Sequence, residues 1–412
     1  MSTTGAGSQH GAAVSGTAGV EPADDRAQGT PGTRTSGAVD VLIVSLGSTA
    51  GLRAADDELA DSLRRAGARV ALVRAAPPRR LRTLALTDLA WALAARRAAQ
   101  RGLAEHAPRA LIYSSTTAAL LWPAPGAIRF DAPSAGNRPG RHGLWQRPLE
   151  RRRLARTPLL LPWSEGALLE APAAARHGDR ALVLPVPVEP YRPAAPPRDI
   201  AAASVHAVSA RDIPAAPTPT ALARDITAAP ARDIAAITYA ANPLKKGLDR
   251  VLIAWTRARR ADEQLYIAGA SPAELARAGI VLPSTGVTLT GPLAPADYRS
   301  LLRRARVFVC APRREDYGLA QLEALADGCL LLTTPAPGPY AALPLARALD
   351  PSLVTDDLAP ALRLALDEPA ADYHARATRA LSTFTRACTD RLVAGELLPR
   401  LLSLSHAHAR AT

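Results

Sequence analysis

Short apolar runs recur along the chain, each followed by a polar break and then by residues at helical spacing. The first run, 39–45, does not alternate with polar residues and so predicts a strand covered on both faces, as in a parallel sheet. The pattern then predicts a helix over 54–65, a strand over 68–74 and a helix over 84–102 with Leu86, Leu89, Leu93 and Ala94 on one face. Strands over 110–114 and 128–131, a helix over 143–156, and strands over 158–163 and 181–188 complete this series. A second series opens with a strand over 234–240 and a helix carrying Leu248, Val251, Leu252 and Trp255 at core spacing. Strands over 265–269, 287–290 and 307–310 alternate with helices over 272–278 and 295–304. A charged loop, 311–317, turns at Gly318 into a helix with Leu319, Leu322, Leu325 and Ala326 on its apolar side and Gly328 as its terminal glycine. A strand over 329–334, a Gly/Pro loop over 333–344 placed to line a cleft, and helices from Leu358 onward follow, the last long one over 379–402.

This alternation predicts an α/β chain of two Rossmann-like domains facing a cleft. Residues 1–37 are rich in Gly, Ser, Thr and Ala without periodicity, and are expected to be a disordered leader. Domain one is expected over 38–188 and domain two over 234–385, with 386–412 a terminal helix and tail. Between the domains, Arg-Asp-Ile recurs at 198–200, 211–213, 224–226 and 232–234 in an Ala/Pro/Thr background. That spacing is too short for a solenoid, so 189–233 reads as a low-complexity linker.

Composition narrows the function. Lys and Arg number 50 against 37 Asp and Glu, so the net charge is 50 − 37 = +13. The arginines are spread over most helices and no aromatics are interleaved with them, which argues against nucleic acid. Cys310, Cys329 and Cys388 are few and far apart, the pattern of buried thiols in a reducing compartment and not of a disulfide or zinc framework. No run approaches the roughly 18 apolar residues of a membrane span, and no apolar stretch follows Met1, so a cytoplasmic protein is expected. Its basic helices, 84–102 and 143–156, suit peripheral contact with anionic lipid at the inner membrane face.

Candidate chemistry gathers on two loops. The amides of Gly318 and Leu319 open a helix after a parallel strand, where the helix dipole and unpaired N–H groups favour a phosphate. Glu315 and Glu323 bracket that turn, though two glutamates at this spacing also describe a solvated loop charge and an exposed helix residue. Lys245 and Lys246 precede the helix at 248 and could neutralise a diphosphate leaving group, or simply be solvated. Asp56, Asp57 and Glu58 resemble a metal cluster, but read better as acids in a first helical turn. The turn 46–51 has two glycines without the full dinucleotide fingerprint, and His406 and His408 read as tail residues.

The segment EDYGLAQLEALADG closely resembles the E-x7-E segment of retaining, GT-B-fold glycosyltransferases, family 4 type, in the glycogen-synthase-like superfamily. KKGLDRVL resembles the same family's lysine-glycine segment. The likeness covers most of 39–188 and 234–404 and is specific only over 234–340. It implies metal-independent hexosyl transfer, with retained configuration, from a nucleotide diphosphate sugar to an acceptor hydroxyl on a glycan, lipid or small molecule, with no other cofactor. It implies that Glu315 contacts the donor sugar, Glu323 the ribose, Gly318 and Leu319 the diphosphate, and Lys246, or Lys245 as second choice, the donor phosphates. Gly47 in the first loop would approach the phosphate, and Asp131, with His142 further along, lies nearest the family's acceptor-side acid or histidine. The 379–402 helix would cross back onto domain one. One departure is Ala240 and Ala241, where relatives often carry an arginine; Arg313 or Arg314 could substitute. A sugar-nucleotide epimerase, a phosphorylase and a non-catalytic nucleotide- or partner-binding relative are the alternatives.

Overall fold

The computed structural model describes residues 39–79, 81, 83–176, 179–190, 232–368 and 372–409, with side chains up to 404. The leader, nearly all of the 189–233 linker and the side chains of His406 and His408 therefore lie outside the described residues.

Lobe one holds β1 (Val41–Ser45), α1 (Ala50–Arg65), β2 (Val70–Arg74), α2 (Leu84–His106), β3 (Ala110–Tyr113), α3 (Thr116–Ala119), β4 (Ala127–Phe130), α4 (Ser134–Asn137), α5 (Gln146–Arg156), β5 (Leu160–Pro162) and α6 (Glu165–Glu170). Its strands form one parallel sheet in the order β2-β1-β3-β4-β5. Every β1 residue is buried, as an unalternating apolar run requires.

Three expectations are corrected here. The segment 181–188 is not a strand: only Ala181 bridges β5, while Leu182 and Leu184 donate to Leu160 and Pro162. β5 ends at Pro162, and the next amides in register turn elsewhere, Val186 donating to the Tyr317 hydroxyl and Val188 to the Phe384 carbonyl, so the chain leaves the sheet and runs to lobe two. The leucine face of α2 is not its core face. Leu84, Leu86 and Leu93 are exposed, and the helix buries Ala92, Ala95, Ala98, Ala99 and Gly102 instead. A Cβ on Gly102 would lie 2.9 Å from a Leu42 methyl, so small residues permit a close helix–sheet approach that leucines would block. Finally, α1 begins at Ala50, capped by the Thr49 hydroxyl, which moves Asp56 into the second turn and away from the dipole role. Asp56 is fully buried, Asp57 pairs with Arg74 and Glu58 with Arg65 and Arg386; they form no metal cluster.

Lobe two holds β6 (Ile234–Tyr239), α7 (Leu248–Ala258), β7 (Leu265–Ala268), α8 (Pro272–Arg277), β8 (Val287–Gly291), α9 (Pro295–Arg304), β9 (Ala305–Cys310), α10 (Leu319–Ala326), β10 (Leu330–Thr333), α11 (Ala342–Leu349), α12 (Leu358–Asp367) and α13 (Tyr373–Ala380). Its sheet is again parallel, in the order β10-β9-β6-β7-β8. Trp255 of α7 is fully buried and donates to the Gly286 carbonyl at 2.7 Å. Both lobes are thus Rossmann-like.

From α14 (Arg386–Leu392) the chain returns to lobe one through a π-helical turn, Val393–Leu397, into α15 (Leu398–Ala409). Val393, Leu397 and Leu401 are buried in one cluster with Val41, Ile43, Leu59 and Leu63. Asp390 pairs with Arg65 at 2.8 Å and accepts from Ser62. The two lobes are therefore tied by core packing as well as by the chain.

Leu397→Ala should remove about 2–5 kcal/mol from the unfolding of lobe one, read as a lower urea midpoint, whereas exposed Arg391→Ala should change it by less than about 0.5 kcal/mol.

Candidate active site

In lobe two the connections from β6 run one way, to β7 and β8, while β9 pairs on the other side of β6. The topological switch point therefore lies between β6 and β9, where the loops 240–247 and 311–318 leave the carboxyl ends of their strands. These two loops carry Lys245, Lys246, Glu315 and Gly318. They touch at the backbone: Arg313 donates its amide to the Lys245 carbonyl at 2.9 Å. Gly247 is left-handed (φ 66°), and a Cβ there would sit 1.8 Å from the Ala311 carbonyl oxygen. Only glycine fits.

Gly318, at φ 87°, is the N-cap of α10 and supplies no side-chain cap, so the first α10 amides keep the character of an anion site. The Tyr340 ring fills the space where its Cβ would be. Lys246 Nζ lies 2.6 Å from Glu315 Oε2, and Gln321 donates to the same oxygen at 3.1 Å. Burial pulls the lysine pKa down, but Glu315 more than offsets this and the net shift is upward, so Lys246 stays charged. Glu323 lies half-buried in the second turn of α10. Burial pushes its pKa up to about 7, opposed by Arg299.

Lobe one meets these loops with the turn after β4. Asn137 donates to Asp316 at 2.9 Å and accepts from Lys245, which also pairs with Asp316. Arg314 bridges Asp316 and Glu170 of α6, the latter at 2.6 Å. Asp131, half-buried at the end of β4, has its pKa pushed up to about 6, by burial first and then by Asp316, with Lys245 opposing. Asp316 is shifted the other way: burial would raise it, but Lys245 dominates and the net shift is downward. Two carboxyls with environments that push them apart thus face one cleft, the arrangement that separates proton carrier from fixed charge.

Gly47 is left-handed (φ 59°), its carbonyl accepting from Arg53 at 2.9 Å. The first turn of α1, just after it, approaches lobe two, since a Cβ on Gly51 would lie 3.9 Å from a Leu319 methyl. His142 is exposed in a short 3-10 turn. Of the two arginines considered as substitutes, Arg313 faces outward to Asp249, and only Arg314 enters the cleft. The structure thus brings together Glu315, Lys246, Lys245, Gly318 and Leu319, with Asp131 facing them, while Glu323 stands apart on α10 near Arg299.

Sequence reasoning passed over Asp316, Asn137 and Glu170. Asp316 lay inside the quoted motif, and a charged residue directly beside Glu315 was a usable signal. Asn137 and Glu170 carried none, because their role depends on contact with the other lobe.

Residues 233–365 match the family model described as "Glycosyl transferases group 1". No curated protein matches the chain. Among solved structures, the Anabaena protein HepE in complex with UDP and glucose superposes with a TM-score of 0.59 at 11% identity, covering 87% of this chain and 99% of that one. WaaG, a glycosyltransferase involved in lipopolysaccharide biosynthesis, gives 0.59 at 14% identity, covering 87% and 100%. Sucrose-phosphate synthase from Thermosynechococcus elongatus gives 0.55 at 14%, covering 88% and 99%. Identities this low speak for the fold. The segment 233–365 is thus similar in sequence to the group 1 glycosyl transferases, and it is carried in a chain with the two-lobed GT-B fold.

Proposed function

We propose that the protein transfers a hexosyl group, with retention and without a metal, from a nucleotide diphosphate sugar to an acceptor hydroxyl. The observation that carries this reading is the Lys246–Glu315 pair, 2.6 Å apart at the switch point beside the α10 N-terminus. The diphosphate sits on the Gly318 and Leu319 amides, with Lys246 opposing the negative charge that grows as the glycosidic bond breaks. Glu315 accepts from hydroxyls of the donor sugar and Glu323 from the ribose diol. Lys245 is the second cation on the diphosphate side, Arg314 stands in for the arginine absent at Ala240 and Ala241, and the Gly47 turn closes from lobe one. Asp131 takes the proton of the acceptor hydroxyl. UDP is the nucleotide to test first, because HepE was solved with it.

The ion pairs spanning the cleft favour a second reading, a non-catalytic protein held shut. Thermal-shift screening with UDP-, GDP- and ADP-sugars separates the two: stabilisation by a donor supports transfer, and none by any donor supports the second reading.

The acceptor side includes a surface suited to lipid, which would make this a peripheral protein of a cytoplasmic membrane face. Among the described residues no helix is long and apolar enough to cross a membrane. The exposed α2 leucines Leu84, Leu86 and Leu93 lie on the same helix as Arg97 and Arg101, and Arg151, Arg152 and Arg156 are exposed on α5.

Lys246→Ala should lower sugar transfer from the preferred donor by on the order of 10²–10³-fold, measured as labelled sugar incorporated from a panel of sugar nucleotides. UDP affinity should rise with pH through about 7 as Glu323 ionises to accept from the diol, and Glu323→Gln should flatten that dependence in calorimetric titrations. The raised values of Asp131 and Glu323 also mean that the folded chain holds protons the unfolded chain has lost. Their contribution to stability therefore falls as pH rises from the ordinary carboxylate range through about 6 and 7. The protein should float with acidic vesicles at low salt and lose this on Arg97→Ala with Arg101→Ala; a wild type that stays at the bottom of the gradient sinks the lipid reading.

A further inference from the structure

Lobe one contains a buried ion pair that the reading above does not use. Arg129 of β4 and Asp56 of α1 are 1% and 0% exposed, and their closest charged atoms are 3.5 Å apart. Asp56 also accepts from Ser45, and Arg129 donates to the Ala55 carbonyl at 3.2 Å. Arg129 Nε has no hydrogen-bond partner. Its guanidinium carbon instead lies 4.8 Å from the centroid of the Trp163 ring, whose own Nε1 is also unpartnered. That ring makes an edge contact with Tyr317, centroids 5.3 Å apart at 86°. Tyr317 stands between Asp316 and Gly318, and its hydroxyl is held by the Val186 amide at 3.0 Å and carbonyl at 3.2 Å. Trp163, Val186 and Ala55 belong to the apolar core of lobe two although they come from lobe one or its exit segment.

A charge pair this deep is costly unless each partner is held by the other and by further contacts. The arginine here lies between Asp56, an ion contact without a hydrogen bond, and the face of the tryptophan ring. The ring in turn meets the donor turn at a defined angle, as aromatic quadrupoles prefer. We propose that Arg129, anchored by Asp56, is a positioning residue that acts through Trp163 and Tyr317 to set where the 315–319 turn docks against lobe one. The link deepens the transfer reading, because that turn carries Glu315 and opens the α10 anion site. It runs through the core and is separate from the cleft pairs of Lys245 and Arg314.

Hydrogen exchange on the full chain tests the link without needing a substrate. Trp163→Leu keeps an apolar side chain but removes the ring, and should speed exchange of the 316–322 amides by on the order of tenfold, the upper range of an aromatic pair. Strands β1, β3 and β6 should stay protected. Asp56→Asn should give the same local pattern, and Trp163→Phe, which keeps a ring for both neighbours, should restore protection. Unchanged exchange at 316–322, or equal acceleration throughout lobe one, would mean a role in packing alone and overturn the proposal. A UDP titration on the same samples reports on the other question. A wild type that binds no UDP defeats the uridine-donor reading while the exchange result still decides the link.

Discussion

The arrangement of this molecule depends on how closely two loops of lobe two can approach at the switch point of their sheet. Gly247 lets the turn after β6 press its backbone against the Ala311 carbonyl, at a distance no Cβ would permit. That approach puts Lys246 and Glu315 within 2.6 Å of each other and next to the open N-terminus of α10. Parallel topology makes the place inevitable, since strands that part at β6 leave a crevice beyond their carboxyl ends. The chemistry is then a matter of which side chains the two loops carry.

The second constraint is electrostatic. The cleft gathers Lys245, Lys246 and Arg314 against Glu315, Asp316, Asp131 and Glu170, and the partially desolvated carboxyls respond in opposite directions. Asp316 is held as an anion by Lys245, while Asp131 and Glu323 hold their protons to higher pH because burial penalises their charge. Fixed positive charge and a titrating carboxyl thus come from one set of loops. Lobe one contributes beyond its own surface: α14 and α15 return to pack on it, and Trp163 is buried within the core of lobe two.

Much of this was legible in the order of residues. Unalternating apolar runs such as 39–45 and 307–310 announce strands covered on both sides, and their alternation with helices announces two parallel sheets. Gly318 and Gly328 bracket α10 because each needs a left-handed backbone, and the loops bearing Lys246 and Glu315 follow from the strand ends. Local pattern misled where packing distance decides. A helix with both a leucine face and an alanine face, like α2, cannot reveal from periodicity which one the sheet accepts, and here the close approach at Gly102 selected alanine. The run 181–188 looked like a strand by composition, yet its later amides, those of Val186 and Val188, are taken by Tyr317 and Phe384 and not by β5.

By itself the sequence determined the fold class, the strand–loop–helix units and which residues lie on the two loops at the strand ends, because these rest on neighbours within about one helical turn or one strand. Tertiary structure alone decided that Lys246 meets Glu315 across 69 positions, that Asp56 is buried against Arg129 instead of lying on a helix dipole, and that Asn137 and Glu170 reach the other lobe. Such pairings depend on where separate elements come to rest, and no spacing along the chain encodes that distance.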